Sequence, residues 1–125
     1  MGEILKERAD EFVKLAEYAY KRKRYDLAMF NLEQAIQLYL KYKIWQKLGD
    51  FEKTHSITKL LKDFGRVYKK SKVINKFIKE NLKLINDLEV AYIESKYLPA
   101  QFLKEDVDRV FEFLNKLKNL INLQR

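Results

Sequence analysis

Residues Tyr25–Trp45 read YDLAMFNLEQAIQLYLKYKIW. At helical period this stretch is apolar on more than one face. Ala28, Leu32, Ala35 and Tyr39 fall on one stripe, Leu27, Phe30, Leu38 and Trp45 on another, and Ile36 and Leu40 fill much of the gap. A helix with a single apolar stripe lies on a surface, whereas one apolar most of the way round is enclosed. The stretch is therefore expected to be the central helix, packed on its neighbours and available to a second copy of the chain.

Working outward, a helix is expected on the N-terminal side from Glu3 to Arg22. Leu5, Ala9, Phe12, Val13, Ala16, Ala19 and Tyr20 recur at spacings of three and four on one face. The tetrad Lys21-Arg22-Lys23-Arg24 closes it. Cations suit a helix C-terminus, which reads as a charged cap and turn. The same tetrad also reads as an anion-binding corner.

On the C-terminal side, Gly49 suits the exit of the central helix because it tolerates a left-handed backbone. Trp45 and Phe51 are expected to pack around that exit. Thr54 is the expected N-cap of a short helix whose Ile57, Leu60, Leu61 and Phe64 point inward and which Gly65 ends. After the basic connector Arg66–Lys70, Ser71 is expected to cap a long helix over Lys72–Ser95. Ile74, Phe77, Ile78, Leu82, Ile85, Leu88 and Tyr92 form its apolar face. Pro99 disfavours helix at the residue before it, so Lys96–Pro99 breaks the chain. The last helix is expected over Lys104–Leu123, with acids first and bases late as its dipole favours. This gives an all-α chain, an up-and-down bundle of four long helices plus one short helix, forming a single domain over residues 1–125.

Composition narrows the functions. No apolar run approaches the roughly 20 residues that a bilayer span needs, and Met1–Asp10 lacks a signal-peptide core. A cytoplasmic protein without membrane attachment is expected. With no Cys and one His, a thiol nucleophile, Cys-ligated zinc and a multi-His metal site are excluded within one chain. No Gly-rich phosphate loop or nucleophile elbow is present among three Gly. No metal or other cofactor is expected. Glu33, one turn from Gln37, reads as a polar surface or interface residue.

The net charge of +8 permits an anionic partner. Lys53 and the N–H groups of the helix start beside Thr54 and His55 form one candidate phosphate contact. Arg22 and Arg24 form the runner-up. His55 is the one candidate general base among histidines, and its plainer role is a hydrogen bond near the helix start. Lys72, Lys76, Lys79 and Lys83 form a stripe that reads either as a solvated face or as a nucleic-acid surface.

Arg24-Tyr25-Asp26-Leu27-Ala28 with Ala35 has a tetratricopeptide flavour, but that family repeats at about 34 residues. The residue that far beyond Ala28 is Lys62, in a different kind of segment, so no repeat is present.

Three landmarks instead resemble a HEPN domain, the higher eukaryotes and prokaryotes nucleotide-binding family. They are Arg24-Tyr25-Asp26-x-Ala28-x-Phe30 continuing through Gln34-Ala35 to Leu40-Lys41; Lys53-Thr54-His55-Ser56-Ile57 leading into Leu60-Leu61; and Ser95-Lys96-Tyr97-Leu98-Pro99 before Glu105-Asp106. Their joint order covers nearly the whole chain. The resemblance implies a helical bundle, often a homodimer, that binds nucleotide. Many relatives act with a minimal nucleotidyltransferase partner in toxin–antitoxin-like pairs. Others are metal-independent RNases that carry an Arg a few residues ahead of a His. Here Arg8, Arg22 and Arg24 are all far from His55, and Arg66 follows it. The RNase motif is absent, and no catalytic residue is carried over.

The expectation is thus a non-catalytic protein that binds a nucleotide, RNA or a nucleotidyltransferase partner. Two alternatives stay open. One is an RNase pairing His55 across a dimer with Arg66 or Tyr97. The other is an interaction module whose Lys72–Lys83 stripe binds an acidic protein.

Overall fold

The computed structural model describes residues 2–97 and 101–123, with backbone alone at 94–97. The described residues form six helices and no strand: α1 (Glu3–Lys21), α2 (Tyr25–Leu48), α3 (Ile57–Val67), α4 (Ser71–Glu80), α5 (Leu82–Tyr97) and α6 (Lys104–Leu120). The central position of α2 follows its sequence. It packs against α1, α3, α5 and α6, and Ala28, Leu32, Ala35, Ile36, Tyr39 and Leu40 are all buried. The second stripe is the more open one, with Leu27 exposed and Phe30, Leu38 and Trp45 half-buried.

α1 and α2 form an antiparallel hairpin. Trp45 covers Gly2 at one end, the Tyr39 hydroxyl donates to Asp10 at 2.5 Å, and Tyr20 meets Tyr25 edge to face at the other end. Small residues line this seam on both helices, including Ala9, Ala16, Ala28 and Ala35, each fully buried. Their size lets the two backbones approach closely. α6 lies alongside, with the Tyr20 hydroxyl donating to Asp108 at 2.6 Å and Phe77 stacked on Phe113.

Several boundaries differ from the sequence expectation, among them the end of α5, which runs to Tyr97 rather than Ser95. The long helix expected over Lys72–Ser95 is two helices, so the bundle has a second short member. Asn81 divides them: its side-chain amide donates to the Phe77 carbonyl at 2.8 Å, and its own carbonyl accepts the first backbone bond of α5, from Ile85. Asn competes with the helical ladder through such local bonds. Leu82, expected inward, is exposed just past this break.

Gly65 does not end α3 but lies buried within it. A Cβ there would come within 3.1 Å of Ile74 Cβ and 3.2 Å of Ser71 Cα, so the glycine serves the close approach of α4. The chain turns four residues later, where Lys69 takes the left-handed conformation at φ 57°. Ser71 is the first residue of α4 rather than its cap, and Lys70 precedes it with no side-chain cap. The last helix stops at Leu120, three residues early, with Asn122 left-handed.

Gly49 does end α2 in the left-handed region, its N–H bonded to the Trp45 carbonyl at 2.7 Å. Tetrad residues Lys21–Arg24 form a tight turn with Lys23 at φ 61° and Arg24 N–H returning to the Ala19 carbonyl. Leu98 and Pro99 of the expected break lie outside the described residues, as do the side chains of Lys96 and Tyr97. Among the described residues no helix is long and apolar enough to cross a membrane.

Candidate functional site

Because α2 is apolar nearly all round, any polar residue in its middle is enclosed. Glu33 and Gln37, one turn apart, are buried at 0% and 3% exposure. Glu33 is thus a core residue, not the surface or interface residue its spacing suggested. Its carboxylate accepts from the side-chain amides of Gln34, at 2.9 Å, and Gln37. Burial pushes the Glu33 carboxyl up to about 7, with the two amide donors and Lys41 opposing and Glu89 adding to the rise. Lys41 is itself lowered by burial, with Glu33 opposing.

Gln37 carries this network outward. Its amide oxygen lies 3.4 Å from His55 Nδ1. The His55 ring stacks on Tyr92 of α5 at 4.8 Å between centroids, and Tyr92 stacks on Phe30 of α2 at 6.4 Å. His55 is therefore gripped on one edge and one face while its side chain stays exposed. Lys53, two residues before it, is also exposed.

The start of α3 is capped differently from the sequence expectation. Ser56, not Thr54, is the N-cap, its Oγ accepting from Lys59 N–H at 3.1 Å. The Thr54 hydroxyl accepts from Ser56 N–H at 3.2 Å and so shapes the preceding turn. Glu89 of α5 reaches the same helix start, accepting from Ser56 Oγ at 3.2 Å and Thr58 N–H at 3.4 Å. A carboxylate from the chain itself thus holds the place expected for a phosphate on these N–H groups. What remains for an external anion at this end is the Lys53 amine and the exposed part of His55.

Arg22 and Arg24 do not join this site. They flank the N-terminus of α2, 13 residues and so roughly 20 Å of helix from Gln37. Arg22 donates to the Tyr18 hydroxyl at 3.3 Å and lies over that ring. Arg66 sits in the last turn of α3, bound to Asp63 at 3.0 Å, nine residues and roughly 14 Å beyond the helix start beside His55. Within one chain the His55–Arg66 pairing is not assembled. The Thr54 hydroxyl is committed to the Ser56 N–H, and the Ser56 hydroxyl to the Lys59 N–H and the Glu89 carboxylate. The arrangement therefore presents an exposed imidazole and an exposed amine at one helix start.

The i,i+4 spacing of Glu33 and Gln37 is legible in the sequence, but not that the pair lies inward. The sequence places Tyr92 only on the apolar face of its helix, and the contact of Glu89 with the α3 start depends on how α5 is set against α3. Elsewhere, a cleft of about 490 Å³ lies between α2, α5 and α6, with Met29, Leu84 and Val110 among its walls. Ion pairs Lys83–Asp87 and Arg109–Asp106 border it, both at 3.1 Å. None of the five candidate anion-binding residues lines it.

The HEPN domain family model matches residues 3–124. No curated protein and no solved structure matches the chain.

Proposed function

The chain belongs to the HEPN domain family, and from that premise we propose that it is a non-catalytic HEPN protein of the cytoplasm that binds a nucleotide at the His55 end of α3. The single observation that carries this reading is the fixed, exposed His55. Its ring is held by Tyr92 and Gln37, and Lys53 stands two residues away. A ring fixed in advance loses little freedom when a base stacks on it or a phosphate approaches. An exposed lysine adds a point charge for the phosphate.

The protein works as a homodimer with a minimal nucleotidyltransferase partner, in a toxin–antitoxin-like pair. Exposed Leu27 on α2 and Val90 and Ile93 on α5 supply apolar surface for such contacts. The RNase alternative lacks support within one chain, because Arg66 is held on Asp63 at the far end of α3.

Prolonged incubation of the purified protein with single-stranded RNA in chelator tests the non-catalytic part. RNA of unchanged length is expected. Cleavage that disappears in His55→Ala would establish the RNase reading instead. Sedimentation of the same preparation reports the dimer; a monomer at all concentrations removes that part.

A further inference from the structure

The charge of this protein is not spread evenly. Residues 57–80, the α3–α4 hairpin, hold eight bases against Asp63 and Glu80, a net +6 of the chain's +8. Asp63 is bound by Arg66, and Glu80 is only 3.9 Å from Lys76. Among the described residues, Lys62, Lys69, Lys70, Lys72 and Lys79 have no ion-pair partner. Lys62 of α3 and Lys76 and Lys79 of α4 converge on one open depression of about 450 Å³ between the two helices. Lys72 continues the α4 stripe one turn earlier and is exposed, as are Lys62, Lys76 and Lys79. The Asn81 break removes Lys83 from this stripe and leaves it paired with Asp87.

We propose that the α3–α4 hairpin is a docking surface for the phosphate backbone of duplex DNA. None of Lys53, Thr54 and His55 lines the depression between the two helices, and the proposal does not depend on the nucleotide reading. Lys72, Lys76 and Lys79 lie at i, i+4 and i+7 on α4, spanning roughly 10 Å. That is about three base steps of a duplex strand at its ~3.4 Å rise. Lysines held at such spacing neutralise phosphates and release counterions without reading sequence.

Two features separate this ligand from its rivals. An acidic protein surface would need an apolar anchor at the centre of the contact. In residues 57–80 Val73 is the only exposed large apolar residue among those described. Unpaired bases would need an open aromatic platform or a free arginine. Tyr68 instead stacks on Phe64, with Lys43 and Lys47 against its ring, and the one arginine is held by Asp63.

The test is fluorescence anisotropy with labelled duplexes of about 16 base pairs, one DNA and one RNA, from about 50 to about 200 mM salt. Expected is binding whose log–log salt slope is about −3 to −4, close to 0.9 per lysine engaged. The triple variant Lys72→Gln/Lys76→Gln/Lys79→Gln should flatten that slope by about 2 to 3 and weaken binding at least about tenfold. The triple variant Lys14→Gln/Lys21→Gln/Lys23→Gln, with the same loss of charge on and beside α1, should leave the slope unchanged. Binding of the DNA duplex with this pattern supports the proposal, and the RNA duplex is the competing arm. Three outcomes overturn it: no binding of the DNA duplex at low salt, the α4 variant keeping its slope, or duplex RNA, single-stranded RNA or polyglutamate binding more tightly than duplex DNA.

Discussion

Gln37, one turn beyond Glu33 on α2, donates its side-chain amide to the Glu33 carboxylate inside the core and turns its oxygen toward His55. Gln37 thus joins the most deeply buried acid among the described residues to the one histidine of the chain. The Glu33 carboxyl lies at about 7, above its ordinary 4.5, because burial penalises its charge. A folded value raised above the unfolded one gives stability that is full below pH 4.5 and lost as pH rises through about 7. The loss approaches about 3 kcal/mol. Glu33→Gln keeps the shape and removes the titration. Urea unfolding at pH 5 and pH 8 should show wild type losing stability relative to the variant; parallel profiles would contradict the raised value.

Helix propensity and packing make opposite forecasts at Gly65. Propensity alone would favour Ala by about 1 kcal/mol in a helix interior. A Cβ at this position meets Ile74 Cβ at 3.1 Å and Ser71 Cα at 3.2 Å, atoms at or beside the α4 backbone that no rotamer change moves away. Gly65→Ala should therefore destabilise by about 1–2 kcal/mol, and Gly65→Val by more. A gain in Tm for Gly65→Ala would show that α4 yields without cost.

Ser56 serves α3 twice, accepting from Lys59 N–H and donating to Glu89. Ser56→Ala should cost about 1–2 kcal/mol, and Thr54→Ala clearly less, since Thr54 serves only the turn. A cycle of Ser56→Ala with Glu89→Gln should show coupling, whereas strictly additive losses would mean that the Ser56–Glu89 contact contributes nothing.

Lys23 occupies a left-handed turn at φ 61° with an exposed side chain. Glycine takes that conformation without the Cβ penalty. Lys23→Gly should raise stability by up to about 1 kcal/mol. A loss would mean that the Lys23 stem packs on the turn.

Legibility in the sequence varied with how local the deciding interaction is. Tyr25–Trp45 announced its central place because a helix apolar on all sides admits one location. The Gly49 stop was legible because a left-handed cap is set by one residue. Gly65 was misread for the opposite reason, since its meaning lies in Ile74 across a helix pair. Asn81 was overlooked because the apolar spacing of 74, 77, 78, 85 and 88 runs across it as if unbroken. At the site, His55 was visible as the lone histidine. Its grip by Gln37 and Tyr92, and the occupation of the α3 start by Glu89, depend on how α5 is set against α2, which no single stretch encodes.

The most direct test of the binding account is calorimetric titration of ATP and GTP into wild type, Lys53→Ala and His55→Ala at low salt. The account predicts saturable binding of at least one nucleotide to wild type. It also predicts binding weakened at least about tenfold, equal to about 1.4 kcal/mol, in both variants, with each still unfolding in one cooperative transition. Absence of binding to wild type, or equal binding by all three proteins, would contradict it.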